Sequence, residues 1–474
     1  MSYKNLLQRK YFFAVVLILI FASFLRFYKL NSLMAFIGDY GWYYLSARDF
    51  LLTGELPLVG IPSSVPILRQ GAIFTWLLAG SLKIFNFHPV SGAYLTVLLG
   101  VLAVFLVYKV FSVWYGKRVG VVASLLAAVS PFIVMQDRGP FVVGPMFFLT
   151  LLVAWSYTKL RNGNLVNYLV LGFLLAIIYQ FELASFILFP ILFITSIWEG
   201  IELKWKNVLI FIFGLIVGLL PFIVRDLQQG VYLQTLGFLG WVVTKGIEGL
   251  LGIFSGDRNI FLFNPVIEFL KSFIFPKSLS YAAFLFLLSV FYYLKKLKKE
   301  SNKLKFPDKL ITVWFLVDIG GFFIRGIFSG AYMPLLYIPL LVLFSLTFNK
   351  FISDWGRVGW LILIMTAFVN IAFLFKTNFS SSNDRFITLR QRLEIVDLLH
   401  SQVGNKEFSL VYRGPSYQFA SGDNHWRYLL WWKNNEPIKN ANTNIGIFEY
   451  PYAPLARYEI IGDYGYVKIG VKYE

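Results

Sequence analysis

The sequence predicts an all-α polytopic membrane protein of about eleven transmembrane helices, closed by a small extracytoplasmic α/β domain. Three observations predict it. The chain is 58% hydrophobic and only 14% charged, whereas soluble domains are about a quarter charged. Its Lys and Arg gather in short loops between long apolar runs. From residue 377 those runs stop, and a mixed tail long enough for a small domain follows.

A spanning helix needs roughly 20 mostly apolar residues. The first, about 11–28, follows the basic start "MSYKNLLQRK". No small-residue cleavage site comes after it, since "LRFYKL" is next, so it reads as an uncleaved span. Further spans are expected at about 90–113, 118–135, 140–158, 165–181, 183–198, 206–224, 279–295, 309–325, 331–348 and 357–376. The run 71–87 is apolar but short, and Lys83 interrupts it. Cytoplasmic loops carry the excess of Lys and Arg. If 71–87 does not cross, "YGKR" (115–118), "TKLRNGN" (158–164), "EGIELKWKN" (199–207), "KKLKKESNKLKFPDK" (295–309) and "NKFISDWGR" (349–357) share the side of the basic N-terminus. If it crosses, all five move outside, against that rule. The run is therefore expected to lie in the interface or to re-enter.

This topology places the N-terminus inside and the C-terminus outside. The transmembrane domain covers 1–376, with outer loops 29–89 and 225–278, and the tail domain covers 377–474. In the tail, "RQRLEIVDLLHSQ" reads as an amphipathic helix, "FSLVYRG" as a strand and "YEIIGDYGYVKIGVKYE" as a hairpin. The setting is a plasma membrane crossed many times.

The composition also excludes. A net charge of +18 would suggest nucleic acid in a soluble protein, but here the basic residues follow the loops and read as topology signals. Cys is absent, which removes disulfides, thiolate metal sites and a Cys nucleophile. Only three His occur, which argues against a His-rich metal centre. No Walker loop, GxGxxG, HExxH or nucleophile elbow is present. That absence points to a substrate arriving through the membrane.

The acids that remain lie toward the outer face. "FIGDYGWYYLSARDFL" sets Asp39 among Tyr40, Trp42, Tyr43 and Tyr44, just past the first span. A carboxylate in hydrocarbon would cost several kcal/mol. At the interface, ringed by aromatics, it can act as general base for a hydroxyl, or be one acid in an aromatic belt. "SPFIVMQDRGPFVVGP" places Asp137 and Arg138 at the outer end of the third span. Arg engages two phosphate oxygens at once with its planar donors; the plainer reading is a pair of interfacial charges. Within the ninth span, Asp318 and Arg325 lie seven apart and share a face. Charges inside a span are functional hypotheses by default, although an internal ion pair or a snorkelling Arg reads equally well. Glu182 falls at the turn between spans five and six, and Arg225 with Asp226 at the outer end of span seven.

These features resemble the GT-C class of membrane glycosyltransferases, in particular the bacterial group similar to protein O-mannosyltransferases and aminoarabinose transferases. "RFYKLNSLMAFIGDYGWYYLSARDFLLTGELPLVG" looks like that group's first outer loop. The stretch from "FHPVSGAYL" to "SPFIVMQDR" looks like its second and third spans, and "GLIVGLLPFIVRDLQQG" and "AYMPLLYIPLLVLF" like later ones. The resemblance implies a sugar carried on a polyprenyl phosphate and passed, with inversion, to an acceptor hydroxyl of a lipid, glycan or protein. It implies Asp39 as base and Asp137 as a second catalytic acid. Arg138, Arg225 and Arg325 would face the donor phosphate, with Glu55, Glu182 and Tyr332 as accessory positions. No cofactor is required, and a divalent metal is left open. The chain departs from the group at Tyr40 and Tyr43, where members carry a second acid, and at Ala331, where a basic residue is frequent. A polytopic transporter or flippase, or a non-catalytic scaffold of the same fold, remains the alternative.

Overall fold

Apolar runs this long leave few options for the backbone, because in hydrocarbon each N–H and C=O must be satisfied within the segment. Helices result throughout the computed structural model. It describes residues 3–63, 65, 67–201, 204–254, 263–300, 303–325, 329–379, 387–404, 406–415 and 417–473.

Helix α1 (Tyr3–Phe27) leads into the loop segment 29–89. That loop holds α2 (Leu30–Leu33), α3 (Gly38–Thr53), the two-stranded hairpin β1 (Val59–Pro62) and β2 (Arg69–Gly71), and α4 (Ile73–Ile84). A bundle follows: α5 (Ser91–Tyr115), α6 (Lys117–Val129), α7 (Pro131–Asp137), α8 (Val143–Lys159), α9 (Leu165–Phe181), α10 (Leu188–Glu199) and α11 (Trp205–Gln229). The segment after α11 contributes α12 (Phe238–Phe254) and α13 (Phe263–Ile274). The bundle closes with α14 (Leu279–Lys299), α15 (Phe306–Arg325), α16 (Tyr337–Trp355) and α17 (Arg357–Phe373).

All eleven expected spans contain helix, though not all are long enough alone. Among the described residues, seven helices meet the length and hydropathy of a membrane span, or eight if α6 and α7 count as one broken span. That pair is bent by 64°, where the sequence predicts a single run over 118–135. The cause is local: Pro131 has no N–H to give the preceding turn, and it starts α7 at the position where Pro is tolerated. Helix α4 has 12 residues, so it rises only about 18 Å against about 30 Å of hydrocarbon. Its Phe74, Leu78 and Leu82 are buried in the protein core.

The tail domain holds α18 (Leu389–Val403), β3 (Ser409–Arg413), α19 (Asn424–Trp432), β4 (Thr443–Glu449), β5 (Glu459–Asp463) and β6 (Val467–Tyr473). The expected helix, first strand and hairpin are α18, β3 and β5–β6. The sheet order is β3-β4-β6-β5, with β3 and β4 parallel and the rest antiparallel. A parallel pair needs a crossover, and α19 supplies it. Thr388 and Gln391 cap α18 reciprocally, and beside them the Leu389 N–H donates to the Met34 carbonyl at 2.8 Å. Tyr428 Oη donates to the Phe87 carbonyl at 2.7 Å, and Arg48 pairs with Glu436 at 2.9 Å. The tail is thus seated on the 29–89 loop.

Candidate active site

Asp39 lies in the first turn of α3, where unpaired N–H groups and the helix dipole favour an anion. It is partly exposed. Its Oδ1 accepts a hydrogen bond of 2.6 Å from Ser421 Oγ of the tail domain. Tyr40 and Tyr43 turn into the protein beneath it. The Tyr40 ring packs on Phe141 at 5.3 Å, and burial, with the Asp39 charge adding, pushes its hydroxyl up to about 12.

Tyr43 opens a polar chain. Its hydroxyl donates to Gln70 Oε1 at 2.6 Å, and Gln70 Nε2 donates to Glu182 Oε2 at 3.3 Å. Burial raises the Tyr43 hydroxyl well above its ordinary value, and the charges of Glu182 and Asp39 both add to the shift. Both carboxyls are therefore within electrostatic reach of one phenol. Burial raises the Glu182 carboxyl to about 7, against hydrogen bonds from the Ala184 and Leu183 backbone. Elements far apart in sequence make this chain: α3, strand β2 and the turn after α9.

Glu182 also lines a largely apolar cavity of about 340 Å³ between the 182–190 segment, α12 and α15. Phe186, Phe238, Trp241, Phe322 and Tyr332 supply its aromatic wall. Asp318 reaches it from α15, is 2% exposed, and leaves Oδ2 without a partner among the described residues. Lys245 of α12 lines it too and pairs with Glu248 at 2.5 Å. A second staple holds the 29–89 loop to the segment after α11: Asp226 accepts from the Gln234 and Thr235 N–H groups, and Gln234 Nε2 donates to the Ile67 carbonyl. A larger hollow of about 560 Å³, lined by Trp155, Lys159 and several Asn side chains, contains no acid.

The remaining expected site residues separate from this cluster. Asp137 is an internal group: Arg26 Nε donates to its Oδ2 at 2.7 Å, and their side chains are 0% and 2% exposed. Arg138 turns inward as well. Its Nη1 donates to the carbonyls of Leu25, Arg26 and Tyr28, at 3.2, 2.8 and 2.9 Å, and satisfies the C-terminal end of α1. Its guanidinium lies 4.6 Å from the Phe379 ring centroid. Both side chains are thus committed inside the protein, Asp137 to Arg26 and Arg138 to the end of α1, while Arg138 Nη2 has no hydrogen-bond partner among the described residues. Glu55 is exposed beyond the C-terminus of α3, sixteen residues along the chain from Asp39. Arg225 is partly exposed and makes no hydrogen bond or ion pair among the described residues. The Arg325 side chain lies outside the described residues. Glu182 and Tyr332 both line the cavity. Among the described residues, no group of three His, Cys, Asp or Glu side chains is placed to hold a metal ion.

Sequence reasoning missed Gln70 and Ser421. Both are neutral, and neither stands near Asp39 in the chain. Asp318 did carry a signal, as a charge inside an apolar run.

The chain superimposes on ArnT from Cupriavidus metallidurans bound to undecaprenyl phosphate with a TM-score of 0.60 at 11% identity, over 96% of this chain and 97% of that one. The fold is that of the GT-C class. The Archaeoglobus fulgidus oligosaccharyltransferase, in complex with zinc and sulfate, shares the GT-C fold with a TM-score of 0.55 at 12% identity, over 91% of this chain and 67% of that one. The same organism's AglB, in complex with an inhibitory peptide and a dolichol-phosphate, gives 0.54 at 12% identity, over 94% and 70%. Residues 69–225 match the family model of the dolichyl-phosphate-mannose-protein mannosyltransferases. No curated protein sequence matches the chain.

Proposed function

We propose that this protein transfers a sugar from a polyprenyl-phosphate donor to an acceptor hydroxyl at the outer face of the plasma membrane, with inversion. The observation that carries the reading is Asp39. It is a partly exposed carboxylate at a helix N-terminus, held by Ser421 and within electrostatic reach of Tyr43, whose own hydrogen bonds run through Gln70 to Glu182 on an apolar cavity. The GT-C fold of proteins crystallised with undecaprenyl phosphate and a dolichol-phosphate supports it, as does the mannosyltransferase match over 69–225. Eleven crossings with the N-terminus inside would put the first outer loop, the α12–α13 segment and the tail on the outer face.

In this mechanism the acceptor oxygen attacks the anomeric carbon and its proton passes to the Asp39 carboxylate. The bond from that carbon to the phosphate oxygen breaks, and the electron pair leaves on polyprenyl phosphate. The leaving group is already stable as an anion, so no strong general acid is required. Arg225, partly exposed and without an ion pair among the described residues, would meet the phosphate. The α12 segment covers the cavity as a lid would.

Asp39→Asn keeps the shape and removes the base. Comparison of glycans and lipids from cells lacking the protein, cells with wild type and cells with Asp39→Asn tests it. The variant should lose about 10² to 10⁴ in rate while its thermal stability stays near wild type. Turnover within tenfold of wild type refutes the assignment.

A further inference from the structure

The segment "GDYG" holds more than its acid. Gly38 and Gly41 bracket Asp39, and the tail's backbone lies directly against both. A Cβ at Gly38 would stand 2.4 Å from the Ser421 carbonyl oxygen, and one at Gly41 would stand 2.1 Å from the His425 backbone nitrogen. Real Cβ atoms do not approach backbone that closely, so any side chain at either position would lift the tail off α3. Ser421 is 8% exposed, and its hydroxyl donates to Asp39 Oδ1 at 2.6 Å. The contact spans 382 residues of sequence and joins the two domains at the one carboxylate proposed to react.

We infer that the tail domain is a working part of the active site: Ser421 positions Asp39, and the two glycines are what let it do so. This rests on Asp39 being the base. A hydroxyl aimed at a carboxylate fixes its rotamer, so the acid keeps one oxygen pinned to the tail and presents the other. Ser421 is a positioning residue and touches no reacting atom.

Other titratable groups border the contact. Tyr40 and Tyr43 belong to α3, and Glu182 stands behind Tyr43. On the tail, Asp423 is paired with Arg427 at 2.7 Å, and His425, Arg392 and Glu449 are buried together.

The test uses the full-length protein in membrane vesicles that carry their own polyprenyl-phosphate sugars. The product missing from Asp39→Asn cells serves as reporter, followed by mass spectrometry. Ser421→Thr and Ser421→Val have the same shape and differ in one hydroxyl. Ser421→Thr should keep the wild-type rate. Ser421→Val should lose about tenfold in kcat with KM for the donor unchanged, the effect of one hydrogen bond to a charged group. Limited proteolysis should show the tail still docked in both. If Thr and Val behave alike, or if Val changes KM and not kcat, the inference fails while Asp39 stands as base. If Asp39→Asn is itself active, the base assignment falls and the role of Ser421 falls with it.

Discussion

Two acids flank the end of α1, and the protein treats them in opposite ways. Asp137 is sealed against Arg26, beneath carbonyls that the same guanidinium satisfies at Ala127 and Ala128. Asp39 stays partly open, with one hydrogen bond from a neutral hydroxyl. In sequence both are an acid beside aromatics near the outer end of a span. Which becomes reactive depends on what consumes its lone pairs. A carboxylate whose oxygens serve a buried guanidinium holds helices together. One left half-solvated can still take up a proton.

The largest expected effect breaks that comparison directly. Removing one partner of a buried ion pair leaves the other charge without compensation, which costs about 3–5 kcal/mol. Arg26→Ala and Asp137→Ala should each destabilise the detergent-solubilised protein by about that much in thermal or denaturant unfolding, whereas Asp39→Asn should not. Surviving Asp137→Ala molecules should work in proportion to the folded fraction. If Asp137→Ala folds at wild-type stability and is inactive, Asp137 belongs to the chemistry after all.

How much of this was legible follows the same division. The apolar runs that became α1, α5, α8, α11, α14, α16 and α17 are visible because hydrocarbon imposes a length and forbids charge. The run now forming α4 reads in the sequence as a segment that does not span, from Lys83 and the charges of later loops, and in the structure it is a helix of 12 residues. The hairpin β1–β2 was not legible, because Pro and Ser interrupt its alternation. Asp39 was visible as an acid just past a span. Its partner Ser421, and Gln70 and Glu182 behind Tyr43, were not: all three come close only by tertiary folding, and two are uncharged. Arg26 was there to be read, as a cation in the last turn of α1. Its claim on Asp137, 111 residues away, was not.

A second, smaller effect separates the docked side from the sealed side by pH. Burial, with the charge of Arg392 adding, lowers His425 from about 6.5 to about 4. For Glu449 burial acts upward, but Arg392 and His425 outweigh it and hold the carboxyl well below its ordinary range. On acidification the unfolded chain protonates His425 from about pH 6.5, while the folded tail resists to about 4. Stability is present above the unfolded value and falls as pH drops through that window, by on the order of 3 kcal/mol from His425. Glu449 continues the loss below it. Limited proteolysis at pH 7.5 and 4.5 should show the tail opening at low pH before the helical core. His425→Gln, which cannot titrate there, should flatten the slope between those values. Equal protection of the wild-type tail at both pH values would show that this cluster does not hold the tail on α3.

The smallest expected effect concerns Arg138, which lies on the sealed side although its charge suits a phosphate. One nitrogen serves carbonyls at the end of α1, and the guanidinium covers Phe379. A lipid phosphate would have to displace these contacts and enter a site where Arg138 is 3% exposed. Arg138→Ala leaves the carbonyls unsatisfied, at a cost of about 2 kcal/mol. Arg138→Lys keeps a donor there and should cost less. Both variants should bind undecaprenyl phosphate like wild type once results are corrected for the folded fraction. Arg225→Ala, at a partly exposed position with no ion pair to lose among the described residues, should do the reverse: stability unchanged and lipid-phosphate binding weakened. Should Arg138→Ala fold normally and lose the lipid, the line between the two sides would have to be redrawn, with the end of α1 moved into the donor site.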